Sequence, residues 1–173
     1  EMNIRPIWTD DDLYTIKAAV TPAQNATAED TAKLMIKQII KARKDYKGSG
    51  NPTLFTTEDM LTDMLLIQDT TGRDIYDTEE KLRTKLRVKE IVTVPVMEGL
   101  TRTDNQSKTR KLAGIIVNLA DYNVGADKGG AINMFDDFDI DYNQEKYLIE
   151  TRCSGAMIKP YSAIAVEVVE SAG

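Results

Sequence analysis

Histidine is absent from all 173 residues, and cysteine occurs once, at Cys153. The first absence removes Ser-His and Cys-His nucleophile pairs, the usual histidine general base and the common zinc sites. The second excludes an internal disulfide framework and fits a reducing compartment. Carboxylate and lysine chemistry stay open, so an enzyme is disfavoured rather than excluded. No run of about 18 apolar residues exists, so no segment reads as a membrane span, and no signal-peptide pattern is present. Positive charge is in deficit as well: 22 Lys and Arg stand against 28 Asp and Glu, a net charge of −6. That balance argues against nucleic acid as a general partner.

What is present suits one ordinary domain, because 173 residues with 42% hydrophobic content can bury a core. The chain opens Glu1-Met2 in ordinary soluble sequence, which reads as a fragment boundary. Residues 1–26 read as irregular or extended, since Pro6 interrupts the alternation of Met2, Ile4 and Trp8. Asp10 to Asp12 mark a turn, and Leu13 to Val20 reads as a short strand or helical turn. The clearest helix starts at Thr27, where Thr27 and Asp30 form a capping-box pattern. Ala32, Met35, Ile36, Ile39, Ile40 and Arg43 share one face at helical period. Lys33, Lys37, Lys41 and Lys44 share the other, and Gly48 suits a C-cap. That basic face is either a solvated surface or a contact for an acidic neighbour.

Asn51-Pro52 opens a short strand, Thr53 to Phe55. Thr56 with Asp59 signals a second helix, striped by Met60, Leu61, Met64 and Leu65. A third, from Thr78 to Leu86, buries Leu82 and Leu86. Val88 to Val96 reads as a β-branched strand. Residues 98–111 lack apolar period and carry four Lys/Arg against Glu98 and Asp104, a net +2. They read as a mobile loop and a contact candidate, with Arg102, Lys108 and Arg110 as its cations. The remainder is strands. Ile115, Val117 and Leu119 alternate with Ile116 and Asn118; Phe138, Ile140 and Tyr142 alternate with Asp137, Asp139 and Asp141; Ile164, Val166 and Val168 alternate in the last strand. Tyr147 to Cys153 is a further strand, and Gly155 marks the turn after it.

Three motifs invite a chemical reading, and none meets its requirements. Taking Asp137, Asp139 and Asp141 as calcium-loop positions puts Tyr142 where Gly is needed and Leu148 where a bidentate Glu is needed. An acidic strand face fits better. Gly125-Ala126-Asp127-Lys128-Gly129-Gly130 lacks the phosphate-loop spacing and precedes no helix, so it reads as a hairpin turn. Cys153 follows Arg152, but strand neighbours point to opposite faces, and Cys153 reads as an inert buried residue. The methionines read as packing. No catalytic, cofactor or metal residue is assigned.

The order of motifs carries more than any one of them. A helix precedes Asn51-Pro52; the helix Glu58 to Ile67 runs into Gln68-Asp69-Thr70-Thr71-Gly72-Arg73 and the aromatic of Ile75-Tyr76. Val94-Pro95-Val96 follows, then Leu119-Ala120-Asp121-Tyr122, Arg152-Cys153-Ser154-Gly155 and Lys159-Pro160-Tyr161-Ser162-Ala163. This order resembles the major capsid proteins of tailed bacteriophages with the HK97-like fold, although Ala120 stands where that family has Gly. The resemblance implies an α+β fold: an axial A domain with a central mixed sheet flanked by two or three helices, and a strand-rich carboxyl-terminal part. It implies a lead-in at 1–26 belonging to the peripheral P domain, the A domain at 27–155 and a returning P-domain strand at 156–173. The family's N-terminal arm, extended loop and spine helix are not visible, so the chain resembles the carboxyl part of such a subunit.

The implied function is structural: pentamers and hexamers of identical copies enclosing double-stranded DNA, in a virion assembled in the bacterial host cytoplasm. Partners would be copies of itself, and scaffolding, portal or decoration proteins, with no cofactor, membrane or sequence-specific nucleic acid. The basic helix (Lys33, Lys37, Lys41, Lys44) and the acidic strand (Asp137, Asp139, Asp141) are then candidate subunit contacts. Three alternatives stand beside it: an encapsulin-like shell holding protein cargo, a metal-dependent hydrolase using Asp136 to Asp141, and a small binding module that grips a protein through residues 98–111.

Overall fold

A computed structural model describes residues 3–104, 107–126, 133–139, 141–150 and 153–169. Its centre is a mixed six-stranded sheet built from β1 (Thr15–Val20), β2 (Thr53–Thr56), β3 (Ile91–Thr93), β4 (Thr101–Thr103), β5 (Thr109–Val117) and β10 (Ala163–Val169). The order is β1-β10-β5-β2-β3. Strand β10 runs parallel to β1 and antiparallel to β5, and β2 runs antiparallel to β5 and parallel to β3. Strand β5 is long enough to hold two partners on one edge, β2 opposite residues 114–117 and β4 opposite residues 109–111. The sheet takes strands from each of the segments 1–26, 27–155 and 156–173, so a division at residues 26 and 155 would cut through it.

Three helices cover one face: α2 (Ala28–Ala42), α3 (Glu58–Leu65) and α4 (Glu79–Leu86). Met35, Ile36 and Ile39 of α2, Met64 of α3, and Leu82 and Leu86 of α4 are buried with Leu54, Ile116, Ile164 and Val166 of the sheet. The short helix α1 (Ile4–Thr9) and a 3-10 turn at Pro95–Met97 cover the other face. There Ile7, Trp8, Met97 and Leu100 are buried with Leu112, Ile115, Val117, Ala163 and Ala165. Alternate residues of β10 thus enter opposite cores, which is why Ile164 and Val166 face one layer and two small alanines face the other. A register shift at Val166/Glu167 against Leu112 and Gly114 marks a bulge in β5. A strand buried on both faces reads as the continuous apolar run Leu112–Val117 rather than as simple alternation.

The expected caps hold with small shifts. Thr27 and Asp30 form a reciprocal capping box, and the Thr78 hydroxyl accepts from the Lys81 backbone N–H. The cap of α3 is Thr57, one residue after the expected Thr56, and it accepts from Met60. Thr56 is instead buried in the sheet, donating to the Ala113 carbonyl at 2.8 Å.

Several expectations are corrected. The lead-in is partly helical rather than irregular or extended throughout: Ile4–Thr9 form α1, and Pro6 sits in its first turn, where its missing N–H costs no helical bond. Where a mobile loop was expected at 98–111, Thr101–Thr103 form β4, residues 109–111 begin β5 and Leu100 is buried. The β-branched run Val88 to Val96 yields only β3, because Pro95 opens the 3-10 turn. Ile40, expected in the core, is exposed. Gly48 is not a C-cap, since α2 ends at Arg43; the Tyr46 ring lies over Gly48 and occupies the space a Cβ would need.

Between β5 and β10 the chain leaves the sheet as two paired ribbons, β6 (Tyr122–Ala126) with β9 (Cys153–Met157) and β7 (Asn133–Asp139) with β8 (Gln144–Glu150). Gly155 lies inside β9 rather than in a turn, beneath the Tyr122 ring, an aromatic shielding a strand glycine. Cys153 is exposed, contrary to the expected burial. The expected turn at residues 125–130 begins with Gly125 in β6, while its Gly129 and Gly130 lie outside the described residues, as do Ile140 and Arg152.

Candidate functional site

Among the described residues, two carboxylates are deeply buried, Asp121 and Glu167, and both are engaged. Glu167 of β10 is fully buried and points to the α1 face. Its Oε1 accepts from Trp8 Nε1 at 2.7 Å and from Arg102 Nε at 2.8 Å, and its Oε2 accepts from Arg110 Nη1 at 3.3 Å. Arg110 also bonds Asp104 at 2.7 Å. This clasp ties α1, β4 and β5 to β10. It lines an open polar hollow of about 580 Å³ with Asp10, Asp11, Asp12 and Lys17. Lys17 in turn bonds Asp12 at 2.8 Å. Two guanidiniums and an indole occupy the Glu167 carboxylate, so its geometry is that of a clasp.

Asp121 sits in a 3-10 turn before β6 and accepts from the Ser49 N–H at 2.5 Å and the Ser49 hydroxyl at 2.6 Å. Asn118 donates to the Ser49 carbonyl at 2.6 Å. These bonds fix the 48–50 loop against the root of the ribbon. Among the described residues, no group of three or more Cys, Asp or Glu is placed to hold a metal ion.

The expected contact residues separate into three groups. Lys33, Lys37, Lys41 and Lys44 are exposed along α2. Lys33 bonds Glu29 at 2.7 Å, and this hydrogen bond, with a backbone one to Gln68, holds the Glu29 carboxyl below its ordinary range. Asp137 and Asp139 lie on one face of the β7–β8 ribbon, where Lys146 bonds Asp139; Asp141 is in the following turn. The basic and acidic sets therefore belong to separate parts of one copy. Arg102 and Arg110 are mostly covered and bound in the Glu167 clasp, while Lys108 is exposed. Sequence reasoning missed Glu167 and Trp8 as partners. The signal was there: a single Glu within Ala163–Val169, an otherwise apolar run.

The ribbon presents the other unsatisfied surface. Met134, Phe135, Phe138, Tyr147, Leu148 and Ile149 are each more than half exposed. The register puts Met134, Asp136 and Phe138 with Ile149, Tyr147 and Glu145 on one face, and Phe135, Asp137 and Asp139 with Leu148, Lys146 and Gln144 on the other. An isolated two-stranded ribbon is marginal in water, and large apolar side chains collected on one mark an interaction surface.

No protein-family model matches the sequence, and no curated protein matches it. The fold, by contrast, is similar to known shells. It is similar to the virus-like particle of Pyrococcus furiosus, at TM-score 0.53 and 14% identity over 94% of this chain and 59% of that one. It is also similar to the capsid of an empty GTA particle, at TM-score 0.58 and 10% identity over 91% of this chain and 55% of that one. The chain spans under two thirds of the length of both. It has the HK97-like capsid fold: an α+β body around a mixed sheet, as the sequence resemblance implied.

Proposed function

We propose that this chain is the greater part of a capsid subunit, a structural protein that assembles with copies of itself into a closed shell. The observation that supports it is the fold, shared over nine tenths of the chain with two shell proteins. A second support is chemical: the buried carboxylates are engaged in clasps, whereas the exposed ribbon has the composition of a surface awaiting a partner. Complementary surfaces, closed by symmetry, are what a shell requires. On this reading pentamers and hexamers enclose double-stranded DNA, and assembly takes place in the cytoplasm of a bacterial host. Scaffolding, portal or decoration proteins are further partners.

Expression of the full-length product with its genomic neighbours, followed by electron microscopy, tests the reading. Closed shells support it; a monomer under every condition overturns it. The likeness to a virus-like particle favours one second reading, an encapsulin-like shell with protein cargo. The nucleic-acid content of purified shells separates the two.

A further inference from the structure

The ends of α2 and α4 enclose a cationic hollow with no acid in its lining. Two adjoining cavities, of about 290 and 440 Å³, share Ile40, Lys85 and Arg87. Arg43 and Lys44 line the first, and Lys81 the second. Lys81 is bonded to Asp77 at 2.7 Å, but Arg43, Lys44, Lys85 and Arg87 have no ion pair among the described residues. In a chain of net charge −6, four clustered cations without a carboxylate are out of balance with the rest of the surface.

Two further observations point to the same place. Arg87 caps α4 with φ 56°, the left-handed conformation in which glycine is the relaxed choice. A long charged side chain at a strained position is a reason to ask what it contacts. Arg43 stacks 4.6 Å above the Tyr46 ring and gives one N–H to the Arg87 carbonyl at 3.1 Å, while its buried Nε and Nη1 have no acceptor. Burial, with the nearby Arg87 charge adding to it, lowers the Arg43 pKa. Ile40 and Ile75 stand exposed at the rim. The hollow therefore combines unpaired cations with apolar surface.

We infer that this hollow receives the β7–β8 ribbon of a second copy, through the face that carries Met134, Asp136 and Phe138 with Glu145. The inference rests on the self-assembly reading above. Asp136 has no ion pair within its own copy among the described residues, and the register places it beside exposed Phe138 and Met134 on one face. That face offers what the hollow lacks: carboxylates for Lys85 and Arg87, and apolar side chains for Ile40 and Ile75. Charge complementarity of this kind sets register and rejects wrong partners. The acids assigned are Asp136 and Glu145, rather than Asp137 and Asp139, which share the opposite face with Lys146.

Carbodiimide coupling in an equal mixture of isotopically heavy and light chains tests the contact. Peptides joining Lys85 or Lys44 of one label to Asp136 or Glu145 of the other are expected. Lys85→Glu and Asp136→Lys, each checked for an unchanged melting temperature, should each lower the yield about tenfold. Mixing these two variants should restore association, because the charge pair is reversed rather than lost. Absence of the inter-label peptide, coupling only within one label, or failure of the mixture to recover overturns the contact. Electron microscopy of the same samples separates the two levels: shells without this peptide leave the capsid reading standing, and wild-type chains that never form shells overturn that reading.

Discussion

Strands β10 and β7 are each seven residues long, yet they meet opposite fates. Strand β10 has β1 on one edge, β5 on the other, helices over one face and α1 over the second. Strand β7 has β8 and, within the described residues, no covering layer, so Phe135 and Phe138 stay in water. Alternation encodes the strand; it does not encode what covers it. In the body the covering elements belong to the same chain. On the ribbon, no element within the described residues covers β7 and β8, and the proposed contact would supply that cover from a second copy.

The contrast should be sharpest where a body residue has lost all contact with water. Ile116 is fully buried between Leu54 and Ile164 in the register of the sheet. Ile116→Ala is expected to cost about 2–5 kcal/mol by urea unfolding, the sum of lost transfer energy and a cavity that rigid strands cannot collapse. A loss under about 1 kcal/mol would mean the body is as loosely covered as the ribbon.

The Glu167 clasp tests the body's polar side. Glu167→Ala takes the Glu167 acceptor from Arg102 and the Trp8 N–H and leaves Arg110 with Asp104 alone. Removing one partner of a buried ion pair costs about 3–5 kcal/mol. Because Arg102 and Arg110 keep some exposure, the low end, about 3 kcal/mol, is expected. Glu167→Gln keeps an acceptor for Trp8 and should lose less. Equal losses for the two variants would remove the charge from the explanation.

What was legible in the sequence follows from the same contrast. The capping box at Thr27, the helical stripes of α2 and α3 and the alternation of Ile164, Val166 and Val168 are local patterns, and local bonds set them. Residues 98–111 were misread because their strand character comes from pairing with β5 and from one buried residue, Leu100, not from period. Helix α1 was missed because Pro6 reads as a breaker unless its place in the first turn is known. The candidate contacts were half legible. Lysines on the exposed face of α2 follow from helical spacing, but the hollow needs Lys85 and Arg87 of a second helix, brought there only by packing.

A smaller effect separates local from tertiary stabilisation inside the body. The Thr27 hydroxyl and backbone N–H hold the Asp30 carboxyl below its ordinary value near 3.8. A depressed carboxylate stabilises above its unfolded pKa and loses that contribution as pH falls through its folded pKa. Thr27→Ala is expected to cost about 1 kcal/mol at neutral pH. Asp30→Asn should differ from the parent at neutral pH and converge on it in strong acid. A constant gap across the titration would show that the charge of Asp30 contributes nothing.

The smallest expected effect on the isolated chain falls on the ribbon. Phe138→Ser removes an aromatic that is already about half in water, so its unfolding free energy should stay within about 0.5 kcal/mol of the parent. The same change should impair association, because the proposed contact buries the apolar surface it deletes. Sedimentation of parent and variant over a range of concentrations, beside urea unfolding of both, reads the two quantities separately. A large loss of stability with unchanged association would place Phe138 in the body's own core and erase the distinction between the two strands.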